Sequence, residues 1–189
     1  MSTIIRHAAV QDAAGLSSFA AGVFRETFAA QNDPADVERY LAEAFSAERQ
    51  AVEIADPDGV ILLAEGADES ARTCLIGYAH LVGGAAPAAV TGPQPLELKR
   101  LYVGRRWHGR GVAQALMDAA LVAARLRGAK TLWLGVWERN PRAAAFYAKY
   151  GFARVGEHTF VLGTDVQTDW ILARPLGDPQ PVTLPSSDR

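Results

Sequence analysis

Apolar positions along the chain fall into two periods. From Val10 to Ala30 they sit at Leu16, Phe19, Ala20, Val23, Phe24 and Phe28, the spacing of a helix with one apolar face. Asp33-Pro34 opens a second helix through Val37, Tyr40, Leu41 and Ala44, with an acidic cap and a proline in its first turn. Ser46 opens a third, ending near Ala55. Short β-rich runs predict strands at Thr3–Arg6, Val60–Ala64 and Thr73–Val82, the last two forming a hairpin. The turn Asp56-Pro57-Asp58-Gly59 leads into that hairpin.

The second half repeats the alternation. A loop from Gly83 to Pro95 precedes a strand at Leu96–Val103, and Gly109 to Gly111 lead into a long helix. Val112, Leu116, Ala119, Ala120, Ala123 and Leu126 mark its expected buried stripe. Arg125 and Arg127 suit its negative end, and Gly128 suits the residue after it. Thr131–Val136 is too continuously apolar for a half-exposed strand. Asn140-Pro141 opens a short helix that Gly151 stops, and runs at Gly151–Val161 and Thr168–Ala173 complete seven strands. The pattern predicts an α/β chain with helices flanking a sheet.

At 189 residues the chain has room for one domain, placed at residues 1–176, with a proline-rich tail at 177–189 expected to be disordered. The hydrophobic share of 49% includes 35 alanines, and the rest still suffices for a core. A lone cysteine, Cys74, leaves no intramolecular disulfide and points to a reduced, cytoplasmic setting. Neither a secretory leader nor an apolar run of membrane-spanning length is evident, so no membrane partner is expected.

The net charge of −2 conceals a division. Residues 1–98 carry 5 basic and 14 acidic side chains, whereas residues 99–154 carry 12 basic and 2 acidic. The basic block predicts an anion-binding half, and the acidic remainder argues against a general nucleic-acid binder. Within the basic block, His108-Gly109-Arg110-Gly111-Val112-Ala113 joins a strand to a helix. Its glycines let backbone approach a ligand, and the helix start presents free amides suited to a pyrophosphate, with Arg105, Arg106 and Arg110 adding charge. No Gly-Lys-Ser/Thr follows, and three-glycine dinucleotide spacing is missing, so it is neither a P-loop nor a Rossmann turn. Turn geometry alone could also explain two glycines. In the second segment, Asn140 to Phe152, Asn140 reads as a helix cap and Tyr147 as an anchoring aromatic.

Together the two segments resemble the GCN5-related N-acetyltransferase (GNAT) superfamily. His108-x-x-Gly111-x-Ala113 is similar to its Gln/Arg-x-x-Gly-x-Gly/Ala turn, with histidine in place of Gln or Arg. Asn140-x-x-Ala143-x-x-Phe146-Tyr147-x-x-x-Gly151-Phe152 is similar to its second motif. The segments Leu132–Asn140 and Phe160–Asp169 further resemble the bacterial PaiA-type branch, which is associated with acetylation of spermidine and spermine.

The resemblance implies a mixed, mostly antiparallel seven-stranded sheet, splayed in the middle around acetyl-CoA. It implies that the backbone of Leu101, Tyr102 and Val103 pairs with the pantetheine arm. His108, Gly109, Arg110, Gly111, Val112 and Ala113 would then form the pyrophosphate turn, with Asn140 and Phe146 near the arm. Tyr147 would act as general acid on the departing thiolate. The implied chemistry is direct attack of a neutral amine on the thioester, with an oxyanion site at the Tyr102 or Val103 amide. Glu97, eleven residues before His108, is the candidate base, although its residue type and place alone favour a solvated carboxylate at a strand end. Cys74 reads as a small core residue rather than a nucleophile.

For the acceptor, the resemblance points to a small amine, of polyamine type by its branch. Asp33, Asp36, Glu38 and Glu43 on the early helices could attract such a cation or simply face solvent, and Asp165 and Asp169 are alternatives. A protein or peptide amine, or a non-catalytic acyl-CoA sensor, remains open. His80 and His158 lack partners for a metal site, and none is expected. Dimers are common in the superfamily.

Overall fold

The computed structural model describes residues 3–68, 70–162 and 165–177. Seven strands form one sheet: β1 (Ile4–His7), β2 (Gly59–Ala67), β3 (Thr73–Val82), β4 (Pro95–Val103), β5 (Thr131–Trp137), β6 (Ala153–Leu162) and β7 (Asp165–Pro175). Their order is β1-β2-β3-β4-β5-β7-β6, antiparallel except between β4 and β5. Helices α1 (Ala13–Phe28), α2 (Pro34–Ala44) and α3 (Ala47–Ala55) precede β2; α4 (Val112–Leu126) joins β4 to β5, and α5 (Pro141–Lys149) joins β5 to β6. The proline-rich tail lies almost wholly outside the described residues.

Alternation along β2 sends side chains to two faces. Ile61 and Leu63 pack with Leu16, Phe24, Val37 and Leu41 of α1 and α2. Leu62 and Ala64 join the larger cluster beneath α4, with Leu116, Met117, Leu132 and Leu134. The first predicted helix keeps its apolar face, but Val10–Asp12 and Ala29–Gln31 are single 3₁₀ turns at its ends. In α2, Asp33 accepts from the Ala35 and Asp36 amides, as its position before proline requires.

The stripe of α4 needs correction. Leu126 is 84% exposed and Ala119 only half-buried, whereas Met117, Leu121 and Ala124 are buried with Val112, Leu116, Ala120 and Ala123. Successive residues turn by ~100°, so the buried arc centres between Leu116 and Met117 and leaves Leu126 roughly a third of a turn away. Cys74 is half-buried against the same cluster.

Two irregularities open the sheet at its centre. The β4–β5 pairing holds only from Pro95↔Thr131 to Glu97↔Trp133, and beyond it the strands part. At the same place β4 bulges: Leu98 pairs with Leu81 and Arg100 with His80, leaving Lys99 as the extra residue. The remaining backbone of β4 thus keeps β3 on one side and faces a gap on the other.

Candidate active site

The gap between β4 and β5 is part of a cleft of about 520 Å³. Its floor is the stretch Glu97–Val103; one end is the turn before α4, and the other is walled by α1, α2, β6 and β7. Of the expected catalytic and cofactor-binding residues, all line this cleft apart from Arg110; Arg105 and Arg106, expected to add charge at the turn, do not line it either. The Arg110 guanidinium instead lies over the Trp107 ring, 5.4 Å from its centroid. Leu101, Tyr102 and Val103 are at the open strand, and Asn140, Phe146 and Tyr147 enter from α5.

The turn is built for an anion. Gly109 and Gly111 adopt φ of +75° and +82°, in the left-handed region that costs other residues ~1–2 kcal/mol. Gly111 caps α4 without any side chain covering the first amides, so donors and helix dipole face the cleft together. His108 bridges this turn to the strand: its Nε2 lies 2.9 Å from the Val103 carbonyl and its Nδ1 2.9 Å from Nη1 of Arg142. A ring protonated at Nε2 satisfies both contacts, donating to the carbonyl and accepting from the guanidinium. Arg142, in the first turn of α5, is a contact the motifs alone do not reveal. An unpaired strand edge, an uncapped helix start and two left-handed glycines in one cleft fit the extended arm and phosphates of acetyl-CoA.

Tyr147 is buried against Phe146 and Phe152, and burial raises its phenol pKa. Asn140 caps α5 by accepting from the Ala143 amide at 3.1 Å. Glu97 is half-buried, and burial raises its carboxyl pKa against the opposing charges of Lys99, His158 and Arg100.

The acceptor end differs from the expectation. Asp33 is a cap, Asp36 pairs with Arg39 at 3.0 Å, and Glu38 pairs with Arg25 at 2.7 Å; neither they nor Glu43 line the cleft. The Asp165 side chain lies outside the described residues. The carboxylates that do line it, among the described residues, are Glu97 and Asp169. Around them stand aromatic rings in mutual contact: Phe24–Tyr40 at 4.9 Å, Tyr40–Phe160 at 5.9 Å and Phe28–Trp137 at 6.0 Å between centroids.

Sequence reasoning also misses the group beneath the bulge. Glu53 of α3 is buried and receives Nη1 of Arg100 at 2.5 Å, Nζ of Lys99 at 3.1 Å and Nε of Arg49 at 3.4 Å. Burial pushes its pKa up, but the cations, Arg100 first, hold it below the ordinary value. His80 Nδ1 lies 3.7 Å from the same carboxylate without a hydrogen bond, and burial drives that imidazole's pKa down to about 4. The bulge thus turns Lys99 and Arg100 to one anion, on the face of the sheet that also carries Glu97. Among the described residues, no group of three or more His, Cys, Asp or Glu could hold a metal, and no helix is long and apolar enough to cross a membrane.

The profile of the acetyltransferase (GNAT) family matches residues 24–152. An uncharacterised N-acetyltransferase of Lactobacillus delbrueckii subsp. lactis is 35% identical, over 81% of this chain and 86% of its own. One of Mycobacterium tuberculosis is 34% identical over 87% of this chain and 98% of its own. The crystal structure of a PaiA N-acetyltransferase from Thermoplasma acidophilum with coenzyme A superposes with a TM-score of 0.72. It covers 93% of this chain and 99% of that one at 23% identity, a likeness of fold. Cleft, turn and relatives agree, and the chain belongs to the GNAT family as an N-acetyltransferase that uses acetyl-CoA.

Proposed function

We propose that the acceptor is a primary amine of polyamine type, such as spermidine or spermine, which attacks the thioester directly in a ternary complex. The carrying observation is the composition of the acceptor end: two carboxylates, Glu97 and Asp169, inside a wall of Phe24, Phe28, Tyr40, Trp137 and Phe160. Carboxylates attract ammonium groups, aromatic faces bind cations, and the apolar rings suit the methylene chain between amines.

Bound acetyl-CoA supplies an activated acyl group whose leaving group is a thiolate. The amides at the start of α4 hold its phosphates, and the open edge of β4 aligns its arm. Tyr147 keeps its proton because burial disfavours the phenolate, and gives it to the departing sulfur. Glu97 takes a proton from the acceptor nitrogen, its carboxyl drawn upward by burial toward the range a base needs. Tyr40→Leu keeps the apolar wall and removes a phenol ring. It raises the KM for spermidine about tenfold, as loss of a cation–π contact of ~1–2 kcal/mol requires, with the KM for acetyl-CoA unchanged. An unchanged spermidine KM contradicts the assignment.

A further inference from the structure

We infer that His158, paired with Asp169, is a second proton acceptor for the amine, beside Glu97; this rests on the proposed amine acceptor. The arrangement comes from the sheet. His158 and Asp169 face each other in the β6–β7 register, and Nε2 lies 3.9 Å from Oδ2. His158 is 41% exposed, so its ring reaches the cleft, whereas Asp169 is 17% exposed behind it. On β5, Gly135 leaves the room: a Cβ there would stand 3.0 Å from Nε2 and 3.5 Å from Oδ2. Any side chain at residue 135 therefore crowds the imidazole, which accounts for a glycine in an otherwise bulky strand.

The chemistry calls for two acceptors. An ammonium loses two protons on becoming an amide, one before attack and one from nitrogen after the C–N bond forms. His158 Nε2 takes the first, freeing the lone pair, and the Asp169 carboxylate balances the resulting imidazolium. Glu97 takes the second while the C–S bond breaks and Tyr147 protonates sulfur. His158 and Glu97 then release two protons to solvent and Tyr147 regains one, a net release of one per turnover. Imidazole is the side chain whose ordinary titration lies closest to neutrality, where proton transfer from an ammonium is most effective. Among the described residues, the charged groups that interact with the ring are Asp169 on β7 and Glu97 on β4; Glu97 in turn feels Lys99 and Arg100 of β4, and Asp169 feels Glu138 after β5. From α2 the titratable neighbour of this end is Tyr40.

The test is kcat/KM for spermidine against pH, read by thiol release, for the full chain and its variants. His158→Gln lowers kcat/KM about a hundredfold near pH 7. The deficit shrinks as pH rises and the amine reaches the site already neutral, and the KM for acetyl-CoA stays constant. Gly135→Ala gives a smaller loss of the same shape by displacing the ring. A His158→Gln enzyme within threefold of the parent, or with a deficit independent of pH, overturns the inference alone. A parent that acetylates no amine overturns the proposed function and this inference with it.

Discussion

Nη1 of Arg142 lies 2.9 Å from Nδ1 of His108, so the first turn of α5 is tied to the turn that precedes α4. Through Nε2, the same histidine reaches the Val103 carbonyl at the end of β4. One side chain therefore joins the three elements that surround the expected phosphate site. The family's usual Gln or Arg is replaced, and a ring with one donor and one acceptor does the bridging.

Removing this bridge should weaken acetyl-CoA binding modestly, because the amide donors belong to backbone. His108→Ala loses hydrogen bonds worth ~1 kcal/mol net, so its KM for acetyl-CoA should rise about five- to tenfold with kcat little changed. His108→Gln should recover most of the loss. Steady-state kinetics with acetyl-CoA varied decides the matter, and an unaltered KM in the alanine variant counts against the bridge.

Gly111→Glu tests the anion site itself. A Cβ at this position would meet nothing within 4 Å, but φ of +82° strains any side chain there, and a carboxylate beside the first amides of α4 opposes an anion. CoA affinity by titration calorimetry should fall at least tenfold, while Gly111→Ala, which carries the strain alone, should lose less. Equal affinities in the parent and the glutamate variant contradict the site.

Tyr147→Phe keeps the ring that packs on Phe146 and Phe152, at 5.5 and 5.7 Å between centroids. Loss of the acid should lower kcat about a hundredfold and leave CoA affinity unchanged. Full turnover in this variant removes Tyr147 from the mechanism.

His80 and Glu53 give stability a pH dependence. His80 titrates near 4 in the folded chain and near its ordinary 6.5 when unfolded. Between those values the unfolded chain binds more protons, so folding stability falls as pH drops from about 6.5 to about 4, by an order of 2–3 kcal/mol. Glu53, held low, adds a loss at still more acid pH, where its carboxylate takes a proton and Arg100 loses its partner. Urea unfolding midpoints at pH 7 and pH 5 should diverge in the parent and converge in His80→Leu. Identical divergence in both excludes His80 as the cause.

Local pattern carries the elements, since α2 follows from Asp33-Pro34 and the α4 turn from Gly109 and Gly111. The turn is legible because glycines and a helix start are encoded within a few positions, whereas Leu101–Val103, Asn140, Phe146 and Tyr147 are reached only through the resemblance of their segments to the family's motifs. Partners that meet through register are not legible. Glu53 reaches Lys99 and Arg100 only because β4 gains one residue at Lys99, and no spacing announces that bulge. Asp169 and His158 become a pair only once β6 lies against β7. The acidic early helices misled for the opposite reason: Asp33, Asp36 and Glu38 are consumed locally by a cap and two arginines.

An acceptor panel measures the central claim most directly. The purified chain is supplied with acetyl-CoA and with spermidine, spermine, simple monoamines or peptides bearing free α-amines, following thiol release and the mass of the product. The account predicts the highest kcat/KM for spermidine or spermine, with one acetyl group on a primary amine. Preference for peptide amines, or thiol release no faster with any amine than without one, contradicts it.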